Sequence, residues 1–182
     1  ALGAVNAHAH LFLRPPALAG QEIEDPVGVE AEVREAAAGG IGAIVEMTPI
    51  GLGRRPDLLR RVSAATGVAI IAATGYHRDA HYPAGHWVHD APVETLAARI
   101  LTDLRDGMHP ADWDDPSTSL DQARAGVIKA GASYHRISPG ERRRLEAAAI
   151  GAGATGVAVL AHTEVGTCGH EIVDTLEAAG LP

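Results

Sequence analysis

The sequence predicts a parallel α/β fold, and three observations predict it. Short, nearly continuous apolar runs at 41–47, 68–73, 127–130 and 157–161 have the character of strands buried on both faces. With the opening strand they alternate with helical patterns five times, which argues parallel strands joined by right-handed crossovers. The strand ends also carry chemistry: five successive junctions present His8/His10, Glu46/Thr48, Thr74, Lys129 and His162. An open doubly wound sheet and part of an eight-stranded α/β barrel both fit the alternation. In the barrel, polar residues at the C-terminal ends of different strands converge on one place, and that distribution favours the barrel.

The elements follow in order. Residues 3–10 form an apolar strand ending in His8-Ala9-His10, and 11–25 a loop containing Pro15-Pro16 and Gly20. A helix over 29–38 has Val29 and Val33 one turn apart and is closed by Gly39-Gly40. After the strand at 41–47 comes the turn 51–56, with Pro56 as first residue of a helix running to Ala65. The strand at 68–73 leads into 74–91, where Tyr76, His77, His81, Tyr82, His86, Trp87 and His89 collect in a long loop of the kind that carries binding surfaces. The plainer reading is a wet loop whose histidines do nothing. A helix over 92–105 precedes an acidic connector, 108–122, with Asp112, Asp114, Asp115 and Asp121. Beyond the strand at 127–130, Ser138-Pro139-Gly140-Glu141 reads as a capping box opening a helix to about 152. The strand at 157–161 delivers His162, and a helix over 171–179 stops at Gly180-Leu181-Pro182.

Composition narrows the function classes. At 182 residues the chain has room for one full core, and residues 1–182 are expected to form a single, incomplete barrel domain. Apolar residues are 46%, charged residues 21% and aromatics only 3%, so the core is aliphatic and closely spaced. Fifteen Lys+Arg against 23 Asp+Glu give −8. With no aromatic–basic interleaving or zinc-finger spacing, no nucleic-acid partner is expected. Neither a Gly-x-Gly-x-x-Gly nor a Gly-Lys-Ser/Thr loop follows a strand, so nucleotide binding has no support. Cys168 is the single cysteine, which excludes an internal disulfide and fits a reducing, cytoplasmic compartment. No apolar run is long enough for a membrane span. The first residue is Ala, so a short leader or start is expected to be missing.

His8 and His10 lie two apart on a strand and so share a face, able to offer two imidazoles to one divalent ion. Lys129 sits inside an apolar strand, where desolvation favours the neutral, reactive amine. Its plainer reading is a structural lysine reaching the rim or pairing with Glu46. His162 ends its strand much as His10 ends the first, and its plainer reading is a satisfied, half-buried histidine. Three imidazoles and one modifiable amine make a nitrogen-rich site suited to zinc, cobalt, nickel or iron more than magnesium.

At these residues the chain resembles the phosphotriesterase family of the amidohydrolase superfamily, over nearly its whole length and in consistent order. The matching segments are 6–11, 45–54, 72–76, 126–131, 138–142 and 161–167, among them Asn6-Ala7-His8-Ala9-His10, Gly126-Val127-Ile128-Lys129-Ala130-Gly131 and Ala161-His162-Thr163-Glu164. The resemblance implies a TIM-type (β/α)8 metal-dependent hydrolase barrel, of which this chain supplies the first five β/α units. It implies two divalent ions, zinc first and cobalt, manganese, nickel or iron as alternatives. His8 and His10 would bind the more buried ion and His162 the more exposed one. Lys129, carbamylated at its amine (N6-carboxylated), would bridge both, and it is the candidate catalytic residue. The reaction implied is attack of a metal-activated hydroxide on a lactone, another ester or a phosphotriester.

Two departures stand out. Ala9 occupies a position where the family commonly has glutamate, and Val5 and Asn6 replace its usual Thr-Leu. The family's sixth-strand histidine and eighth-strand aspartate also find no counterpart within 1–182. Two functions are therefore expected: a binuclear hydrolase active in its complete form, or a catalytically incomplete fragment or pseudoenzyme with a structural or protein-association role. In either case the open edge needs a cover, either a missing C-terminal half or a second copy in a homo-oligomer.

Overall fold

The computed structural model describes residues 3–109 and 120–182. Five strands and five helices alternate: β1 (Ala4–Ala9), α1 (Pro26–Ala38), β2 (Ile41–Glu46), α2 (Pro56–Thr66), β3 (Ala69–Gly75), α3 (Val93–Arg105), β4 (Val127–Ala132), α4 (Pro139–Thr155), β5 (Val159–Thr163) and α5 (Gly169–Ala178). The strands form one sheet in the order β1-β2-β3-β4-β5, every neighbouring pair parallel. A doubly wound sheet reverses its strand order at a switch point. A strictly sequential order has no such reversal and belongs to the barrel, so the chain is an open, curled half-barrel corresponding to the first five units of a (β/α)8 fold.

Local chemistry sets the boundaries. Asp25 accepts the amide of Val27 (3.0 Å) and Pro26 takes the first helical position, so α1 begins earlier than its apolar spacing suggests. At α4, Ser138 Oγ accepts the Glu141 amide (3.1 Å) and Glu141 Oε2 accepts the Ser138 amide (2.9 Å), the capping box read from sequence. The loop expected over 74–91 begins two residues later than read, because β3 runs on to Gly75, and it contains two short 3-10 turns, Asp79–His81 and Trp87–His89. In the connector, Asp112, Asp114 and Asp115 lie outside the described residues. Asp121 is described and pairs with Arg60 at 3.0 Å.

The core lies between the helices and the outer face of the sheet. Leu96, Ala97 and Ile100 of α3 and Leu145, Ala148, Ala149 and Ala152 of α4 are all buried there, against Ile128 of β4. The two helices approach closely because Gly151 faces Ile100, whose Cγ2 would stand 2.6 Å from any Cβ at that position. Burial runs from edge to centre: β4 is buried along its whole length, whereas β1 is largely exposed and β5 partly so.

Candidate metal centre

The first strand delivers its histidines through an irregularity. Asn6 pairs with Ile44 and Ala9 with Glu46, so three steps along β1 match two along β2. Such a bulge re-aims the side chains around it, and it falls at Ala7-His8, taking in the first histidine and ending two residues short of the second. The two imidazoles stand edge to face with centroids 5.4 Å apart. Partial burial, and then the Lys129 charge, holds His8 below its usual range. The same two causes in the same order push His10 down to about 4, with His8 and His162 adding to them. Both rings are therefore neutral near pH 7, the form in which imidazole ligates metals.

The end of β2 sits beside them. Glu46 is 1% exposed, and its Oε1 accepts the Thr48 hydroxyl at 2.5 Å and the Leu11 amide at 3.3 Å. Its Oε2 accepts the Thr48 amide at 3.3 Å, and Thr48 Oγ1 lies 2.9 Å from His10 Nδ1. Desolvation raises Glu46 to about 7, against the smaller opposing effect of those hydrogen bonds. Lys129, at the centre of β4, is 2% exposed and flanked by Gly75 and Leu160 in register. Burial lowers its amine to about 8, while the Glu46 charge pulls the other way. An amine so held keeps an appreciable neutral, nucleophilic fraction near pH 7–8.

On the other side, His162 lies within β5 and its Nε2 meets Glu164 Oε2 at 2.8 Å. Arg78 reaches the same oxygen at 3.0 Å, tying the loop after β3 to the end of β5. From that loop His77, 5% exposed, stacks on His81 (3.7 Å, 18°) and tilts against His162 (4.9 Å). Burial above all, then His81 and Lys129, holds His77 far below its usual range, and His81 falls to about 4.

His8 and His10 at the end of β1 thus feel the charges of Lys129, midway along β4, and of His162 in β5. Thr74 does not join them, since its hydroxyl bonds Asp103 of α3 at 2.6 Å on the helix side. His86 packs on Tyr82 and Trp87, and His89 bonds Pro83 and faces Asp79. His77 and His81 are the additions that the sequence did not single out from their loop. The available signal was the position of His77, two residues past the strand-ending Gly75. In kind, neutral imidazoles and an amine of lowered basicity fit a divalent ion. In number they fall short, because among the described residues no three His, Cys, Asp or Glu side chains group so as to hold a metal ion. Any ligand set drawn from this rim needs Lys129.

Known proteins resemble this chain in sequence and in fold. The sequence model described as "Phosphotriesterase family" matches residues 1–182. A phospho-furanose lactonase of Mycoplasmopsis agalactiae is 31% identical, with 98% of this chain covering 53% of that protein. An amidohydrolase from Mycoplasma synoviae superposes with a TM-score of 0.90 at 27% identity, over 100% of this chain and 54% of the other. The phosphotriesterase homology protein of Escherichia coli, solved with phosphate in its active site, gives 0.84 at 27% identity, over 98% and 59%. The chain spans about half the length of the curated relatives it matches. The sequential parallel strand order agrees with that match, and the chain belongs to the phosphotriesterase family.

Proposed function

We propose that residues 1–182 are the ligand-bearing sector of a divalent-metal hydrolase barrel and are catalytically incomplete by themselves. The observation that carries this reading is the donor count. His8, His10, Lys129 and His162 bring the right kind of donor, yet no three imidazole, thiol or carboxylate side chains group for a metal among the described residues. The sixth-strand histidine and eighth-strand aspartate of the family are not among these 182 residues. In a completed barrel His8 and His10 would hold the more buried ion, His162 the more exposed one, and Lys129 would bridge them as a carbamate. Carbamylation joins the Nζ lone pair to the carbon of CO2 with loss of one proton, and the lowered basicity of Lys129 supplies the free amine it needs. When bound, the ions supply an activated hydroxide and polarise a carbonyl or phosphoryl oxygen. The uncharged rings of His77 and His81 wall one side of the rim and leave it without added positive charge.

Activity of the whole protein as a lactonase is the second reading. It is favoured by phospho-furanose lactonase relatives that align with 98% of this chain. On this ground a furanose lactone, phosphorylated or not, ranks above a phosphotriester. Hydrolysis of both substrate types with added zinc tests the two readings, using the 182-residue chain and the same chain carried on through three further β/α units. The expected result is background turnover by the 182 residues, and lactone turnover by the extended chain that disappears with Lys129→Ala. Zinc-dependent turnover by the 182 residues alone, abolished by Lys129→Ala, would overturn the claim of incompleteness.

A further inference from the structure

We infer that Thr48, backed by Glu46, is a positioning residue that fixes the tautomer of His10 and leaves the Nε2 lone pair as the one presented to the rim. A hydroxyl has one proton to give, and that of Thr48 goes to Glu46 Oε1 at 2.5 Å. Above about pH 7, where Glu46 is ionised, it can only accept: the Leu11 amide also points to Oε1 and the Thr48 amide to Oε2, each at 3.3 Å. Thr48 Oγ1 can then meet His10 Nδ1, 2.9 Å away, only by accepting, so Nδ1 carries the hydrogen. A neutral imidazole protonated at Nδ1 keeps its in-plane lone pair on Nε2.

The arrangement is set by the strand ends. Glu46 closes β2 in register with Ala9, and the Met47 amide bonds the Ala9 carbonyl at 2.8 Å, which holds the Glu46–Thr48 turn against the histidine strand. His162 offers an internal contrast. Its Nε2 faces the Glu164 carboxylate directly at 2.8 Å, so that ring carries its hydrogen on Nε2 and is locked in the opposite tautomer. Two histidines of one rim, held in opposite forms by different carboxylates, are what separate orientation of separate ligands requires. The metal consequence rests on the reading of His10 as a ligand, whereas the tautomer itself does not.

Long-range 1H–15N correlation spectra of the metal-free 182-residue chain at about pH 8.5, where Glu46 is ionised, test this directly, because the two tautomers give distinct ring-nitrogen patterns. The expected result is His10 protonated at Nδ1, the same form in Thr48→Ser, and a shift toward the Nε2–H form in Thr48→Val with His162 unchanged. Zinc affinity, measured on the same samples, is expected to fall about tenfold or more in Thr48→Val and to recover in Thr48→Ser. His10 found in the Nε2–H form in the unmutated chain, or unaltered by Thr48→Val, overturns the inference. Should Thr48→Val not fold, the unmutated and Thr48→Ser spectra decide it. A locked His10 in a chain that takes up no zinc supports the tautomer inference and counts against the metal reading, so the two fail separately.

Discussion

Glu46 combines full burial with a carboxyl raised from the 4.5 of an exposed glutamate to about 7. The folded chain therefore holds a proton between pH 4.5 and 7 that the unfolded chain has released. Glu46 imposes no penalty below the lower value; its cost grows as pH rises between the two and is complete above the upper one. That gap corresponds to about 3 kcal/mol. Glu46→Gln removes the titration, so the metal-free variant is expected to gain stability relative to the unmutated chain by roughly that amount between pH 5 and pH 8. Urea unfolding at the two pH values, with chelator present, checks this, and a constant difference between the two proteins would contradict it. His10 and His81, both lowered to about 4, titrate in the opposite sense in both proteins and drop out of the comparison.

At the scale of elements, the β3–β4 pairing carries the site. Gly75 ends β3 at φ +90°, and a Cβ there would stand 2.1 Å from the carbonyl oxygen of Lys129. Gly75→Ala is expected to cost more than about 2 kcal/mol and to displace Lys129, because both backbone conformation and close approach are lost. Thermal unfolding reads the first effect, and loss of zinc affinity the second. A different lock holds the loop after β2 to α3: Arg54 Nη1 meets Asp103 Oδ2 at 2.5 Å with both side chains wholly buried, and Thr74 and Arg99 join the same carboxylate. Asp103→Ala leaves buried guanidinium charge and is expected to cost about 3–5 kcal/mol in unfolding free energy. A loss within about 0.5 kcal/mol, the range of an ordinary surface substitution, would contradict that role.

These elements also show what the sequence could say. Ser138 and Glu141 announced α4 because a capping box is local chemistry, and the apolar runs announced the strands because double burial demands them. Two further strand boundaries were also missed. β4 continues through Gly131, a weak strand former whose missing side chain leaves room for His77 and His162. β5 starts at Val159, two residues late, because Gly156 turns the chain at φ +73° and the Val157 amide bonds back to Thr155 before the ladder begins. His8, His10 and His162 stood out in the sequence by their place at strand ends, and Lys129 as the one charge within an apolar strand. His77 did not, because only the packing of its loop over β4 and β5 separates it from its neighbours His86 and His89.

For the molecule as a whole, the parallel sheet is open at both β1 and β5, and no helix among the described residues is long and apolar enough to cross a membrane. Val5 on the β1 edge is half exposed, and Val165 beside β5 is 83% exposed in a left-handed conformation (φ 51°). Such edges ask for further strands. The proposed divalent-ion site draws its side chains from β1, β4 and β5. Bound zinc per chain, measured after zinc supplementation and dialysis for the unmutated protein and for His10→Ala, tests it most directly. Zinc retained by the unmutated chain and lost in His10→Ala is the expected result. A load near zero in the unmutated chain, or equal loads in the two proteins, would contradict it.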